Sequence, residues 1–237
     1  ITRLDTVVIS HPHPDHTGAL DAVFAEMPVG TVRIPRLPHP DEDGYAALLA
    51  RTRAARVIGT ASRGDPLGSA AVPGDAARAG ATLLHPRRGF DARGNVNDES
   101  LVLRVDFGAR RFLFPVDAEA AAEAALSAED VRADVLKVPH HGSRTSSTPA
   151  FVARVAPEVA VVPVGRGNRY GHPHAAALAS YRGARVYRTD RDGTVTIRTD
   201  GRSLHVDTNP PEAWRLRSVE PPRAPPATAA TADRSTR

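Results

Sequence analysis

The feature that most constrains this chain is a loop crowded with histidine and aspartate at residues 10–18, SHPHPDHTG. The preceding residues 3–10 are largely apolar and β-branched, which predicts a buried strand. Residues 17–27 have the apolar spacing of a helix. The loop is therefore expected at the carboxyl end of a strand, where the chain passes into a helix.

Four side chains of this loop have the chemistry of metal ligands. The prolines disfavour a helix, and an extended backbone would place His11, His13 and Asp15 on one side. His16 follows where the helix starts, so its nitrogen can point to a second metal position. Imidazole and carboxylate groups suit one or two divalent ions, zinc or manganese, at a catalytic site that keeps a position open for water. The alternative is a solvated loop in which these residues follow one another by accident, a rare event at their frequencies in this chain.

Length and composition limit the class of protein. The 237 residues suffice for one hydrophobic core with a tail, and the absence of cysteine excludes disulfides and thiolate ligands. The apolar runs are shorter than the roughly 18 residues that a membrane helix needs, and no signal peptide is recognisable. We therefore expect a soluble segment with no membrane span. The arginine excess, with Lys137 the only lysine, fits phosphate recognition or a codon bias equally well.

The body of the chain alternates short apolar runs with helical patterns, which is typical of an α/β layered fold. Residues 1–206 are predicted to form one domain, and the Pro-, Ala-, Thr- and Arg-rich residues 207–237 a disordered tail. Residues 59–80 favour no regular element. Further strands are expected at 31–35, 81–85, 100–106, 110–116, 134–139, 159–164, 184–188, 194–199 and 203–206, and helices at 45–54, 118–126, 148–155 and 175–181.

Four segments have an order and spacing that match a known family. They read VVISHPHPDHTGAL, NDESLVLRVDFGARRFLFPVDAE, ADVLKVPHHGSRTSS, and VVPVGRGNRYGHPH followed by RVYRTDRDGTVTIRTDG. Over residues 3 to about 206 the chain thus resembles the metallo-β-lactamase superfamily, and within it the C-terminal hydrolase domain of ComEC-type DNA-uptake (competence) proteins. The resemblance implies an α/β fold of the αββα sandwich type, which normally begins with a hairpin before the VVIS strand. We therefore expect an N-terminally truncated domain that lacks its first strands.

The resemblance implies further metal ligands in two later segments. Asp117 matches the carboxylate that bridges two metals in the family, and His141 is assigned to the metal with His140 beside it, although their order stays open. From the residues alone, Asp117 is equally suited to cap the helix that follows, and tandem histidines also occur in ordinary loops. The third histidine of many relatives is absent before Asp117. Asn97, as the resemblance implies, or Asp98 replaces it, or one metal position is weaker.

Two polar loops contain candidates for substrate contacts. Ser143 follows the tandem histidines and has a hydroxyl that can bind a phosphate. In the run GRGNRYGHPH, Arg166, Asn168 and Arg169 have the donors that phosphate binding needs, and His172 is a candidate metal ligand or proton donor. Asn97 is a further candidate substrate contact. Both runs are equally compatible with structural loops whose polar residues are exposed.

Together these residues predict a metal-dependent phosphodiesterase. A metal pair lowers the pKa of bound water and offsets charge on the phosphoryl oxygens. Asp117, with Asp15 among the ligands, would help to position the water, and His172 or His140 would protonate the leaving oxygen. The resemblance adds single-stranded DNA as substrate, a membrane channel domain attached in the full-length protein, and a location at the extracytoplasmic face of the cell membrane.

Two other functions remain open from the sequence. The first is a stand-alone hydrolase of the same superfamily that acts on a small ester, lactone or thioester, in which case a cytoplasmic location is expected. The second is a non-catalytic remnant that binds metal or DNA, which the missing third histidine suggests.

Overall fold

The computed structural model describes residues 1–35, 46, 50, 52, 57–71 and 78–210. The predicted helix at residues 45–54 therefore lies largely outside the described residues, as does the predicted tail beyond residue 210. Among the described residues, no helix combines the length and the apolar character needed to cross a bilayer.

Strands and short helices alternate along the described chain. The strands are β1 Leu4–Val8, β2 Val29–Pro35, β3 Val57–Ala61, β4 Pro66–Ala71, β5 Arg78–His85, β6 Val102–Phe107, β7 Arg110–Phe114, β8 Val135–Lys137, β9 Val159–Val162, β10 Arg185–Arg188, β11 Thr194–Thr199 and β12 Leu204–Asn209. The helices are α1 Pro14–Thr17, α2 Leu20–Glu26, α3 Ala120–Ala125, α4 Pro149–Val155, α5 Ala175–Ala179 and α6 Thr189–Asp192.

The larger sheet has seven strands in the order β10-β9-β8-β7-β6-β5-β4. Strands β7 to β10 are parallel neighbours, whereas β4 to β7 are antiparallel. Because the carboxyl ends of parallel strands lie at one edge of a sheet, the loops after β7, β8 and β9 meet there. A second, parallel sheet has the order β1-β2-β3, and β11 pairs with β12 as a hairpin.

A small apolar cluster joins the two larger sheets. Ala61 at the end of β3 and Leu83 in β5 are fully buried in it, together with Leu101, and Val8 of β1 packs against them. A backbone hydrogen bond from the Leu101 N–H to the Ser10 carbonyl, 3.1 Å long, crosses the same junction. The histidine loop is thereby tied at its first residue to the larger sheet.

The main core lies around the parallel half of the larger sheet. Leu113 of β7, Leu136 of β8 and Ala160 of β9 are fully buried there, and Phe151 and Val155 of α4 pack into the same cluster. Strand β9 consists of consecutive apolar residues, as expected for a strand buried on both faces, and β8 has two apolar residues before its last residue, Lys137.

Every predicted strand is present, and two further strands, β3 and β4, were not predicted. Strands β3 and β4 fall in or beside the segment of residues 59–80, whose Gly and Ala residues carry little strand signal. The predicted tail boundary at residue 207 is wrong by a few residues, because β12 pairs with β11 as far as Asn209. Gly108 lies in the turn between β6 and β7, and Gly201 in the turn between β11 and β12. Their φ angles of 59° and 86° lie in a region that favours glycine.

We predict that Leu136→Ala destabilises the protein strongly. Leu136 is fully buried in the main core, and truncation of such a leucine to alanine costs about 2–5 kcal/mol of unfolding free energy. Urea unfolding followed by circular dichroism measures the effect. As a control, Val186→Ala on β10, where the side chain is 37% exposed, should change the unfolding free energy by less than about 1 kcal/mol. Equal losses from the two variants would contradict this description of the core.

Candidate metal centre

Three loops bring the candidate ligands together at the carboxyl ends of strands. Residues His11 to His16 follow β1, Asp117 follows β7, and the tandem histidines follow β8. Since β7 and β8 are parallel neighbours and β1 faces them across the sheet junction, residues more than 100 positions apart in the chain become neighbours. The sequence predicts the first loop at the carboxyl end of a strand, and the resemblance implied that Asp117 and His141 join it.

The predicted extended backbone through Asp15 is wrong. Pro14 is the first residue of helix α1, a position where its missing N–H is not needed. His11 and His13 therefore precede a helix, whereas Asp15 and His16 lie within it. The helix separates the four side chains into two pairs.

Unusual backbone conformations shape the other two loops. Val116, just before Asp117, has φ of 59°, and the successive residues His140 and His141 have φ of 44° and 54°. A residue other than glycine in the left-handed region costs roughly 1–3 kcal/mol of conformational free energy. Such a conformation persists only where the surrounding structure holds it. In the tandem pair the two side chains take different directions, with ring centroids 6.2 Å apart and ring planes inclined at 68°.

Asp15, His16, Asp117 and His141 form a compact cluster whose ligand atoms all lie within 4.8 Å of one another. Asp117 Oδ2 lies 3.2 Å from His16 Nε2 and 3.5 Å from His141 Nε2. Asp15 Oδ2 lies 3.4 Å and 3.1 Å from the same two nitrogens. Two imidazole nitrogens and two carboxylates thus converge, which is a donor set that suits divalent metals.

Neighbouring oxygens orient the histidine rings. His141 Nδ1 donates to the carbonyl oxygen of Pro163 over 2.7 Å, which leaves Nε2 as the atom that faces the carboxylates. The Ser10 hydroxyl lies 3.1 Å from His11 Nδ1 and 3.4 Å from His16 Nδ1. Such outer partners hold ligating histidines in one ring orientation.

The remaining histidines of the first loop, His11 and His13, also lie near Asp117. His11 is fully buried, with Nε2 3.2 Å from His13 Nδ1 and 4.0 Å from Asp117 Oδ2. Burial, and then the neighbouring charge of His16, lower the pKa of His11 to about 3. The ring is therefore neutral at pH 7, the form in which imidazole binds metals.

Asp117 is the buried negative charge of the centre. Burial raises the pKa of a carboxyl group, but close contacts with His141 and His16, and the charge of Lys137, hold the pKa of Asp117 well below its usual range. Lys137 Nζ donates to Asp117 Oδ1 over 3.1 Å and also to the carbonyl oxygen of Val116. The lysine therefore occupies one carboxylate oxygen, and the histidines face the other.

Sequence reasoning missed Lys137 as part of the site. The only available signal was compositional, because this is the single lysine in a chain with 31 basic residues. At a buried position beside a carboxylate, a compact ammonium and a wider guanidinium are not interchangeable, which explains why lysine stands here.

One buried nitrogen of the cluster lacks a hydrogen bond, as expected for a metal ligand without its ion. His16 Nε2 is buried and makes no aligned hydrogen bond, although two carboxylate oxygens lie within 3.4 Å. A buried polar atom without a hydrogen bond is costly unless another partner satisfies it. The family comparison below and this donor set together indicate divalent metal ions at the centre.

A cleft of about 480 Å³ opens above the centre. Besides the candidate ligands, Arg169, Tyr170 and His172 line it. Tyr170 is 64% exposed and stacks on the His172 ring, with centroids 5.8 Å apart and planes inclined at 19°. Burial, and then the neighbouring His140, lower the pKa of His172. The structure places His172 on the rim of the cleft, and its role as a metal ligand or proton donor stays a prediction.

Of the predicted substrate contacts, Arg169 lines the cleft, and the other four lie elsewhere. Ser143 is buried, with its hydroxyl 2.9 Å from that of Thr145. Asn168 holds the rim loop, because its side chain accepts from the His172 N–H and donates to the His172 carbonyl. Asn97 donates to Glu119 over 3.2 Å, and Arg166 is exposed on the rim loop. None of the four is among the described residues that line the cleft.

Known proteins resemble this chain in sequence. The family described as the metallo-beta-lactamase superfamily matches residues 1–166. ComE operon protein 3 of Bacillus subtilis (strain 168) is 29% identical over 215 residues, which are 89% of this chain and 26% of that protein. Competence protein ComA of Neisseria gonorrhoeae is 36% identical over 110 residues, which are 44% of this chain and 16% of that protein. These regions are about a quarter or less of the length of each relative.

One solved structure has a related outline. A metal-dependent hydrolase from Parabacteroides distasonis ATCC 8503 superposes with a TM-score of 0.45 and 13% identity, covering 80% of this chain and 78% of that chain. The family match confirms the predicted fold class, and the competence relatives confirm the predicted resemblance.

We predict that Lys137→Met destabilises the metal-free protein by about 3–5 kcal/mol, because it leaves the buried Asp117 charge without its partner. Added Mn²⁺ should restore much of the loss, since a bound cation offsets the same charge. Urea unfolding in EDTA and in Mn²⁺ measures both effects. Arg185→Met is the control, because Arg185 pairs with Glu158 at the surface and its loss should cost less than about 1 kcal/mol. A Lys137 loss as small as that of Arg185 would refute the role given to the lysine.

Proposed function

The chain belongs to the metallo-β-lactamase superfamily and is a hydrolase of that superfamily, and from this premise we propose that it cleaves phosphodiester bonds in single-stranded DNA. The observation that carries the proposal is the rim of the cleft. There an exposed guanidinium, Arg169, and an exposed aromatic ring, Tyr170, lie beside the Asp/His cluster. A cation for phosphate next to a stacking surface for a base is the combination that single-stranded nucleic acid requires.

Asp15, His16, Asp117 and His141 are the proposed holders of the metal, one or two ions of zinc or manganese. A bound divalent ion lowers the pKa of water toward neutrality and offsets negative charge on phosphoryl oxygens. Asp117 supports this chemistry because Lys137 holds one of its oxygens and leaves the other directed at the histidines.

The rim residues have three proposed tasks. Arg169 binds a phosphate, and Tyr170 stacks on a base. His172 donates a proton or hydrogen bond to the leaving oxygen, a role supported by its place in the cleft wall. Asn168 supports that role indirectly, since its two hydrogen bonds to the His172 backbone fix the loop.

The names of the relatives support a role in competence. The region similar to ComE operon protein 3 covers 89% of this chain, and the region similar to competence protein ComA covers 44%. The first relative is named for the ComE operon and the second for competence. We propose that the chain acts on DNA during uptake, next to an attached membrane channel domain, at the extracytoplasmic face of the cell membrane.

Cleavage of a labelled single-stranded oligonucleotide by the metal-loaded protein tests the proposal. Asp117→Asn should lower the rate by at least about 100-fold, because loss of a ligand exceeds the 10–100-fold effect of outer partners. Tyr170→Ala should weaken substrate binding by about tenfold while metal content stays unchanged. Arg202→Ala, an exposed arginine on the β11–β12 hairpin loop, is the control and should leave cleavage unaltered.

Three outcomes would overturn the proposal. If the metal-loaded protein hydrolyses a lactone or thioester but no oligonucleotide, the substrate is a small ester. If it binds metal and DNA but cleaves neither kind of bond, the domain is a binding module. A cleavage rate that does not change in Asp117→Asn would show that the activity comes from a contaminant.

A further inference from the structure

We infer that Gly142 is a positioning residue for the substrate: the close packing of Pro173 on its bare backbone places the rim of the cleft beside the Asp/His cluster. The rim loop is residues 165–174, which lie between β9 and helix α5 and include the proposed substrate contacts. The inference rests on the proposed function and deepens it, because it assigns the residue that sets where those contacts stand.

Side-chain hydrogen bonds make the rim loop one unit. The Asn168 side chain donates to the Gly165 carbonyl over 3.1 Å and to the His172 carbonyl over 2.8 Å. It also accepts from the His172 N–H over 3.0 Å. Tyr170, between these residues, is 64% exposed. A loop braced in this way is displaced as a whole, so the contacts that hold it to the body of the protein decide where its exposed side chains stand.

Gly142 makes two contacts with the C-terminal end of the rim loop. Its carbonyl oxygen accepts from the His174 N–H over 2.9 Å. A Cβ added to Gly142 would lie 2.5 Å from Pro173 Cβ and 3.1 Å from Pro173 Cα, and at the first distance two carbon atoms overlap. The proline ring is fixed to its backbone and cannot rotate away. The rim therefore approaches this closely only because residue 142 has no side chain.

The same glycine belongs to the segment that contains the tandem histidines. Gly142 directly follows this pair, and the His140 N–H donates to the Val116 carbonyl over 2.9 Å. The rings of His140 and His172 are neighbours across the boundary between the two segments, with centroids 5.7 Å apart and planes inclined at 64°. Displacement of the rim at Gly142 would therefore change the separation between His172 and the cluster.

The contact bears on the rim more than on the candidate metal ligands. The atoms that an added Cβ would meet first belong to Pro173, in the rim loop. The His141 ring is held separately, because its Nδ1 donates to the Pro163 carbonyl over 2.7 Å. We therefore expect substitution of Gly142 to weaken substrate binding and to leave metal binding intact.

Hydrogen exchange of the His174 amide, followed by NMR in the zinc-loaded protein, tests the contact without any substrate. His174 is the N-cap of α5, a position whose N–H makes no bond within its helix, so its protection reports the bond to Gly142. The amide should exchange at least about 100-fold more slowly than an unstructured one. Gly142→Ala should reduce this protection by at least about tenfold.

Gly64→Ala is the matched control. Gly64 has φ of 82° and Gly142 has φ of 80°, so an alanine is equally strained at either position. A Cβ added to Gly64 meets no atom of the described residues within 4 Å. The control should therefore leave the exchange of the His174 amide unchanged.

Binding of a fluorescein-labelled phosphorothioate oligothymidylate to the zinc-loaded protein tests the consequence for the site. Gly142→Ala should weaken binding by about tenfold or more, because stacking on the displaced Tyr170 is lost. Equilibrium dialysis should find the same Zn²⁺ content as in the unaltered protein. Gly64→Ala should bind the oligonucleotide as the unaltered protein does.

Four results would overturn the inference. The first is equal His174 exchange in Gly142→Ala and Gly64→Ala. The second is faster exchange in Gly142→Ala with unchanged oligonucleotide binding, and the third is weaker binding that accompanies a loss of Zn²⁺. The fourth, rapid exchange of the His174 amide in the unaltered protein, applies even where Gly142→Ala does not fold. If the unaltered protein binds no oligonucleotide, the proposed nuclease fails, and the exchange measurement alone decides the inference.

Discussion

The buried carboxylate of Asp117 is the interaction on which the rest of this structure depends. A charge with a side-chain exposure of only 3% is stable only when partners compensate its lost hydration. Here Lys137 binds one oxygen, and nitrogens of four histidines lie within 4.0 Å of the other. Lys137 is the last residue of β8, and the histidines lie in the segments that follow β1 and β8. The carboxylate therefore links the folding of both sheets to the assembly of the site.

The sheet arrangement makes this convergence possible. Strands β7 and β8 are parallel, so Asp117 and the tandem histidines emerge side by side. The first loop reaches them from the other sheet, anchored by the hydrogen bond between Leu101 and Ser10 and by the apolar cluster around Leu83. Stability and function are thus coupled here, since a change at the sheet junction would displace the four candidate ligands of the first loop together.

Differences between the expected and the observed site have local physical causes. Pro14 begins helix α1 instead of preventing a helix. Asp15 therefore lies within the helix, with its carboxylate 3.4 Å from His16 Nε2, and not on an extended backbone with His11. Ser143 and Asn168 bond within their own loops, which is the usual role of short polar side chains at turns, rather than lining the cleft. Arg169 and Tyr170 line it instead; the sequence named Arg169 only together with Arg166 and Asn168, and it did not single out Tyr170.

By itself the sequence determined the type of chemistry and most of the strands. The HxHxDH order, Asp117 and the tandem histidines are local patterns whose ligand groups can be recognised without knowing what lies opposite them. Only the tertiary structure decided which of these groups lie together and that Lys137 contacts Asp117. The reason is that these roles depend on separations of a few ångströms between residues up to 126 positions apart, which neither periodicity nor composition encodes.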